Sequence, residues 1–326
     1  MAKNKAHKKQ SFFEWCRGYT GQKYIITVLF LLVPLALLIT FTFVPAANMF
    51  VYSFQSRDQF GINPEWVGFD NYKTVFTDSD YLSTFKNSLY YLFGSFIQLG
   101  LALIIAEILC SKIKFKNFYK ATVFFPWMMN GVAVALIFRS FFMKGDGITN
   151  TDGALNSIIT FFGGNAVSWL SDPKIVNFCL VFASIWRYIG FDIVMFIGAI
   201  QSINPDIYEA AELDGANAWQ RFWYIIFPGI KPVIGLQMIL AIKGAMSVFE
   251  IPYVITNGQF GTTTFVIKTI ETAFGYKKVG LASAMAVVLL IIIIIVTIVQ
   301  KLLFNEEADN ASMKSEKLFK KKKELI

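Results

Sequence analysis

The stretch AVVLLIIIIIVTIV, residues 286–299, decides the class of this chain. Fourteen residues pass without a charge or a turn-former, and only a membrane span suits such a run. It extends over about 279–304. Five further stretches meet or nearly meet the roughly 20 apolar residues that a ~30 Å hydrocarbon core requires; they lie at about 24–46, 87–110, 118–142, 176–200 and 230–256. The chain is 55% hydrophobic with a positive mean hydropathy, which sets aside a water-soluble globular fold. Pro126 and Asn130 interrupt the third run, Lys243 and Glu250 the fifth. Breaks of this kind are tolerated in lipid only where protein or a wet cavity covers them. The first run is longer than the 7–15 residue core of a signal peptide. It reads as an uncleaved span, with cleavage as the alternative.

Orientation follows from the Lys and Arg residues that flank the spans. Six precede the first run within residues 1–23, four lie in the 111–120 turn, and seven follow from Lys301. Arg221 and Lys231 bring that side to 19, against eight on the other. Both termini are therefore expected in the cytoplasm of a cell whose plasma membrane holds the chain. The parts are a tail at 1–23, a six-span body at 24–304 with a loop at 201–229, and a basic tail at 305–326. The net charge of +8 sits in the tails and one short turn, a pattern for anionic lipid headgroups in the bilayer and not for nucleic acid. The ending KLFKKKKELI, residues 317–326, reads as a disordered, lipid-facing tail.

Enzyme chemistry finds no support. Cys16, Cys110 and Cys179 are scattered, and the one histidine, His7, lies in the basic tail, so neither metal spacing nor a histidine-based triad is present. There is no GxxxxGK[ST] loop for ATP phosphates. No cofactor and no metal is expected on this chain.

The loop IYEAAELDGANAWQRFWYIIFP, residues 207–228, is acidic on the side that is otherwise basic. Its punctuation is that of two short helices. Asn204 caps the first and Pro205 suits its first turn, while Gly215 suits the left-handed residue after its last turn. Asn217 opens the second, whose Trp219, Phe222, Trp223 and Ile226 recur at helical spacing as a face for the membrane interface. The first helix carries Asp206, Glu209, Glu212 and Asp214 with no base. It reads either as a solvated loop helix or as a plug for a cytoplasmic partner.

Here the residues resemble a family. Glu209, Ala210 and Ala211, followed by Asp214, Gly215 and Ala216, with Phe222, Ile226 and Pro228 downstream, are similar to the EAA signature of permease subunits of binding-protein-dependent ABC importers. Phe227 departs from the leucine that family more often carries there. The resemblance continues in WVGFDNYKTVF (66–76), FKNSLYY (85–91), SVFEIPYVITNGQFGTTT (247–264) and GLASAMAVVL (280–289), and it points to the sugar-permease branch, similar to maltose and multiple-sugar importers. Gln259 and Phe260 stand where that branch usually has Gly-Pro. The resemblance implies an all-α integral membrane protein of the type I ABC importer permease fold, with six transmembrane helices and a cytoplasmic coupling helix. It implies an ABC ATPase subunit dimer holding ATP and Mg, a second homologous permease, an extracytoplasmic solute-binding protein and a sugar substrate, a di- or oligosaccharide.

Ionisable residues deep in a span are functional candidates by default. Arg187 and Asp192 lie in the fourth span, Lys243 and Glu250 in the fifth. A cross-helix pair such as Asp192 with Lys243 is the bland expectation. Tyr188, Phe191, Phe249 and Tyr253, with Trp127 and Asn130 by the broken third span, complete the candidates for the substrate path. By position, Tyr188, Phe191, Ala241, Ala245 and Val248 correspond to contacts in the maltose system, although the last three are apolar here. Two other readings remain: a secondary carrier or channel without an ATPase, and an importer for a non-sugar solute such as glycerol phosphate.

Overall fold

The computed structural model describes residues 18–58, 60, 64–111, 113–146 and 151–323, with side chains as far as Leu302. His7, Cys16, Lys112 and most basic residues of the N-terminal tail lie outside the described residues. Helix α1 (Tyr19–Leu38) passes through a π-helical turn at Ile39–Phe43 into α2 (Val44–Tyr52), and this first span presents exposed side chains from Gln22 to Pro45. Only α2 packs closely on the bundle, against the last helix. A surface this apolar on all sides belongs in lipid or under a partner.

A two-stranded antiparallel pair, β1 (Gln55–Ser56) and β2 (Glu65–Trp66), and helix α3 (Asp70–Thr77) follow at one end of the bundle. Asn71 ties them together, its Nδ2 donating to the carbonyls of Ser53 (2.9 Å) and Gln55 (3.0 Å). Helix α4 (Ser79–Cys110) starts at Asp78, whose carboxylate accepts from the Asp80 N–H at 2.9 Å. It begins eight residues before the expected span because its first turns stand outside the apolar run.

The expected third span is two helices, α5 (Lys116–Met128) and α6 (Gly131–Phe142), bent by 97°. Pro126 cannot donate to the turn before it, and Asn130 then starts a new helix by accepting from the N–H groups of Val132 (2.9 Å) and Ala133 (3.4 Å). Helix α7 (Ala154–Phe161) lies in the following loop, organised by the fully buried Asn156. Helices α8 (Val176–Gln201), α9 (Pro205–Leu213) and α10 (Ala218–Arg221) lead into α11 (Lys231–Met246). The fifth span breaks at Ser247–Phe249 and resumes as α12 (Glu250–Thr256). Helix α13 (Phe265–Ile270) precedes α14 (Val279–Lys323). The last helix therefore runs on as far as Lys323, into the basic segment expected to be disordered; no Gly or Pro interrupts residues 305–323.

Helices α4 and α8 form the central pair, with α5 and α11 against them. Close approach of α5 to α8 depends on Gly190, where a Cβ would overlap the Val123 carbonyl oxygen. Buried side chains gather in one core around α6, α8 and α12 and a second around α4, α8 and the π-helical turn Phe222–Ile226. A third joins α3, α13 and α14.

Candidate coupling loop and intramembrane polar node

Helix α9 is capped at both ends by its own sequence. The Asn204 side chain accepts from the Asp206 N–H at 3.1 Å, and Pro205 needs no partner at the first turn. At the other end Gly215 adopts φ +75°, and the N–H groups of Gly215 and Ala216 donate to the carbonyls of Glu212 (3.1 Å) and Ala211 (2.9 Å). That pair of bonds is a Schellman motif, which closes the helix and satisfies its last carbonyls. Helix α10 opens with a reciprocal cap: the Asn217 side chain accepts from the Gln220 N–H (2.8 Å) and the Gln220 side chain accepts from the Asn217 N–H (2.9 Å).

The loop thus holds a rigid acidic helix in the open. Glu209, Ala210, Glu212, Asp214 and Gly215 are exposed, while Ala211 and Ala216 are half-buried. Tyr208 turns inward to the core of α4 and α8, and its hydroxyl is buried with no hydrogen-bond partner. Burial, with charge on Cys110 and Glu107 adding to it, pushes that hydroxyl's pKa up. The aromatic face splits: Phe222 and Ile226 are buried in the protein, whereas Trp219 and Trp223 remain exposed. The expected membrane-interface stripe is therefore half core: Phe222 and Ile226 face the bundle and the two tryptophans do not.

The intramembrane candidates form two groups. In the first, Arg187 Nη1 donates to the Glu250 carboxylate and to the Tyr188 hydroxyl (3.1 Å), and the guanidinium lies 4.9 Å from the centre of the Tyr188 ring. Arg187 Nε is buried without a partner. Trp127 sits beside this group, 5.6 Å from the ring of Tyr188 and 4.9 Å from that of Phe191. Gly131, the first residue of α6, lies against both ions, and a Cβ there would overlap them. Two helix breaks, at Asn130 and at Phe249, thus meet at one ion pair. Phe249 stacks on Tyr253 at 4.8 Å.

The second group corrects the expected pairing of Asp192 with Lys243. Asp192 is buried and accepts from Gln98 Nε2 (2.6 Å) and Gln237 Nε2 (2.8 Å), which join α4, α8 and α11. Lys243 is exposed on α11 and has no ion pair among the described residues. Asn130, read as a path candidate, spends its side-chain oxygen on the α6 cap. Gln98 and Gln237 are not among the sequence candidates; the available signal was a glutamine amid the apolar residues of each of two runs. Of the three apolar positions, Ala245 is buried and Ala241 and Val248 half-buried.

The family profile described as "Binding-protein-dependent transport system inner membrane component" matches residues 98–306. The chain is 33% identical over 229 residues to the osmoprotective compounds uptake permease protein GgtC of Synechocystis sp., covering 70% of this chain and 82% of that protein. It is 32% identical over 262 residues to the multiple sugar-binding transport system permease protein MsmF of Streptococcus mutans, covering 79% and 88%. A chain of the bacterial ABC transporter involved in the import of the acidic polysaccharide alginate superposes with a TM-score of 0.75. At 21% identity, with 87% of this chain and 96% of that one covered, it shares the fold.

Proposed function

The chain belongs to the binding-protein-dependent inner membrane transport components and is a permease subunit of an ABC importer; from that premise we infer that it carries a sugar inward, driven by a separate ATPase. The similarity to the multiple sugar-binding transport permease supports a sugar as the solute, and we take it to be a di- or oligosaccharide. A solute-binding protein delivers it at the end of the bundle opposite α9, and a second, homologous permease completes the path. ATP and Mg²⁺ belong to the ATPase dimer. Both termini and α9 face the cytoplasm, in keeping with the 19 to eight division of basic residues.

The observation that carries this reading is α9 itself. It is a doubly capped acidic helix exposed between two spans, with Leu213 89% exposed beside its carboxylates. Its acids stand on the side that is otherwise basic, which suits a protein partner there. Tyr208 packs inward on the core of α4 and α8 and is the contact through which a push from the ATPase on Glu209, Ala210, Ala211, Asp214, Gly215 or Ala216 passes to α8. Differential affinity of ATP for the closed ATPase dimer supplies the driving force.

The path for the sugar is assigned to Trp127, Tyr188 and Phe191, with Phe249, Glu250 and Tyr253 at the break of the fifth span. Aromatic faces suit the apolar side of a sugar ring, and the Arg187–Glu250 pair offers donors and acceptors to hydroxyls. Asp192 serves to hold spans together, and Lys243 is exposed on α11.

The test is purification of tagged protein from its native membrane beside Gly215→Asp. Position 215 has open space around it but φ +75°, so a side chain there strains the docking turn without disturbing the core. An ATPase and a second six-span chain are expected with the wild type, and the ATPase is expected to be lost in the variant. A chain that purifies alone would instead favour a carrier that works without an ATPase.

A further inference from the structure

At the end of the bundle opposite α9 lies a cleft of about 450 Å³, within the range of small-ligand sites. Its walls come from the end of α6, the segment before α8, and the turn after α12. Arg139 and Lys144 both line it, no carboxylate does, and neither cation has an ion-pair partner among the described residues. Trp169 forms one side, its indole fixed by an Nε1–H donation to Asn156 at 2.9 Å.

The facing turn is braced and strained. Asn257, Gly258, Phe260 and Gly261 all have positive φ, and Phe260, at +58°, is a bulky residue in a region that favours glycine. The hydroxyls of Thr256 and Thr262 bond at 2.6 Å, and Thr262 Oγ1 donates to the Gln259 carbonyl at 2.7 Å. Strain of this sort persists where the surroundings enforce it, and it gathers at ligand-handling sites. Here it holds an aromatic ring, 44% exposed, at the rim of the cleft.

We propose that this cleft is an entry subsite for a saccharide bearing an anionic group, held by Arg139 and Lys144 with its rings against Trp169 and Phe260. Cations without carboxylate partners select the anion, and aromatic faces select the sugar. The inference rests on the permease reading above and deepens it by naming the class of solute.

The test is calorimetric titration of the purified full complex in neutral detergent with tri-galacturonate and, separately, with maltotriose. The acidic trisaccharide is expected to bind at least about tenfold more tightly. Arg139→Gln/Lys144→Gln is expected to erase that preference while leaving maltotriose unaffected. Phe260→Gly is expected to raise Tm by releasing strain and yet to weaken the acidic trisaccharide, an outcome that misfolding does not produce. Equal binding of the two trisaccharides, or a preference that survives the double variant, overturns the proposal. Repeating the titration in phosphatidylglycerol and phosphatidylcholine nanodiscs separates sources of the anion. Binding of tri-galacturonate abolished only by phosphatidylglycerol, with that lipid retained by the wild type and lost from the double variant, reassigns the cleft to a headgroup and overturns the saccharide. Retention of the ATPase, and its loss in Gly215→Asp, are read on the same preparations and judge the permease reading separately.

Discussion

Glu250, the first residue of α12, forms an ion pair with Arg187 in the middle of α8, and the two side chains are 35% and 13% exposed. The pair closes the gap left by two broken spans, because Gly131 of α6 rests against it as well. Removing one partner leaves the other charge uncompensated in a largely apolar setting. Glu250→Gln is expected to cost about 2 kcal/mol, less than a fully buried pair would because Glu250 is partly screened. Arg187→Leu/Glu250→Leu should recover most of the loss. Thermal unfolding in one fixed detergent compares both variants with the wild type; a double variant less stable than Glu250→Gln would show that the two residues are not coupled.

Asp192 makes a separate prediction. Its two oxygens satisfy the amides of Gln98 and Gln237, so Asp192→Ala leaves two buried donors unpaired at about 1–3 kcal/mol each. Asp192→Asn keeps an acceptor for one of them and should fall between wild type and Ala. The order of Tm values checks this. An alanine variant as stable as wild type would mean that water reaches the amides.

Gly190→Ala should be costly where Gly100→Ala is not. A methyl at 190 meets the Val123 carbonyl oxygen, part of a backbone that can move only with the whole of α5, and such overpacking costs about 1–3 kcal/mol. At 100 a Cβ has nothing within 4 Å, and the change should stabilise the helix by about 0.5–1 kcal/mol. Unfolding of the two variants side by side gives the sign of each.

Within the coupling loop, two substitutions should act in opposite ways. Tyr208→Phe removes a hydroxyl that is buried and unpartnered, so Tm should hold or rise and ATPase retention should be unchanged. Asn217→Ala removes the cap of α10 at a cost of about 1 kcal/mol and should weaken ATPase retention in pull-downs at raised detergent. A Tyr208→Phe variant that lost the ATPase would give that hydroxyl a partner outside this chain.

Residues 286–299 and the runs that became α4, α8 and α14 were legible because hydropathy does not depend on how a helix is rotated or what stands beside it. The loop was legible for a similar reason. Asn204, Pro205, Gly215 and Asn217 act within two to five residues of themselves, and the caps they predicted are those observed. The transport family followed from that same local spelling. What lay beyond the sequence was any partner set by rotation and register across the bundle. Gln98 and Asp192 are 94 residues apart and Gln237 and Asp192 are 45 apart, and no local pattern ranks those amides above Lys243 as partners. The break after Met128 was signalled by Pro126 and Asn130, but not its angle of 97°, nor the ion pair that Gly131 comes to rest against. Local spelling determined the apolar helices and the capped acidic helix of the loop. Only packing in three dimensions decided which buried charge meets which neighbour, because a charge in a low-dielectric interior takes the partner that geometry brings to it.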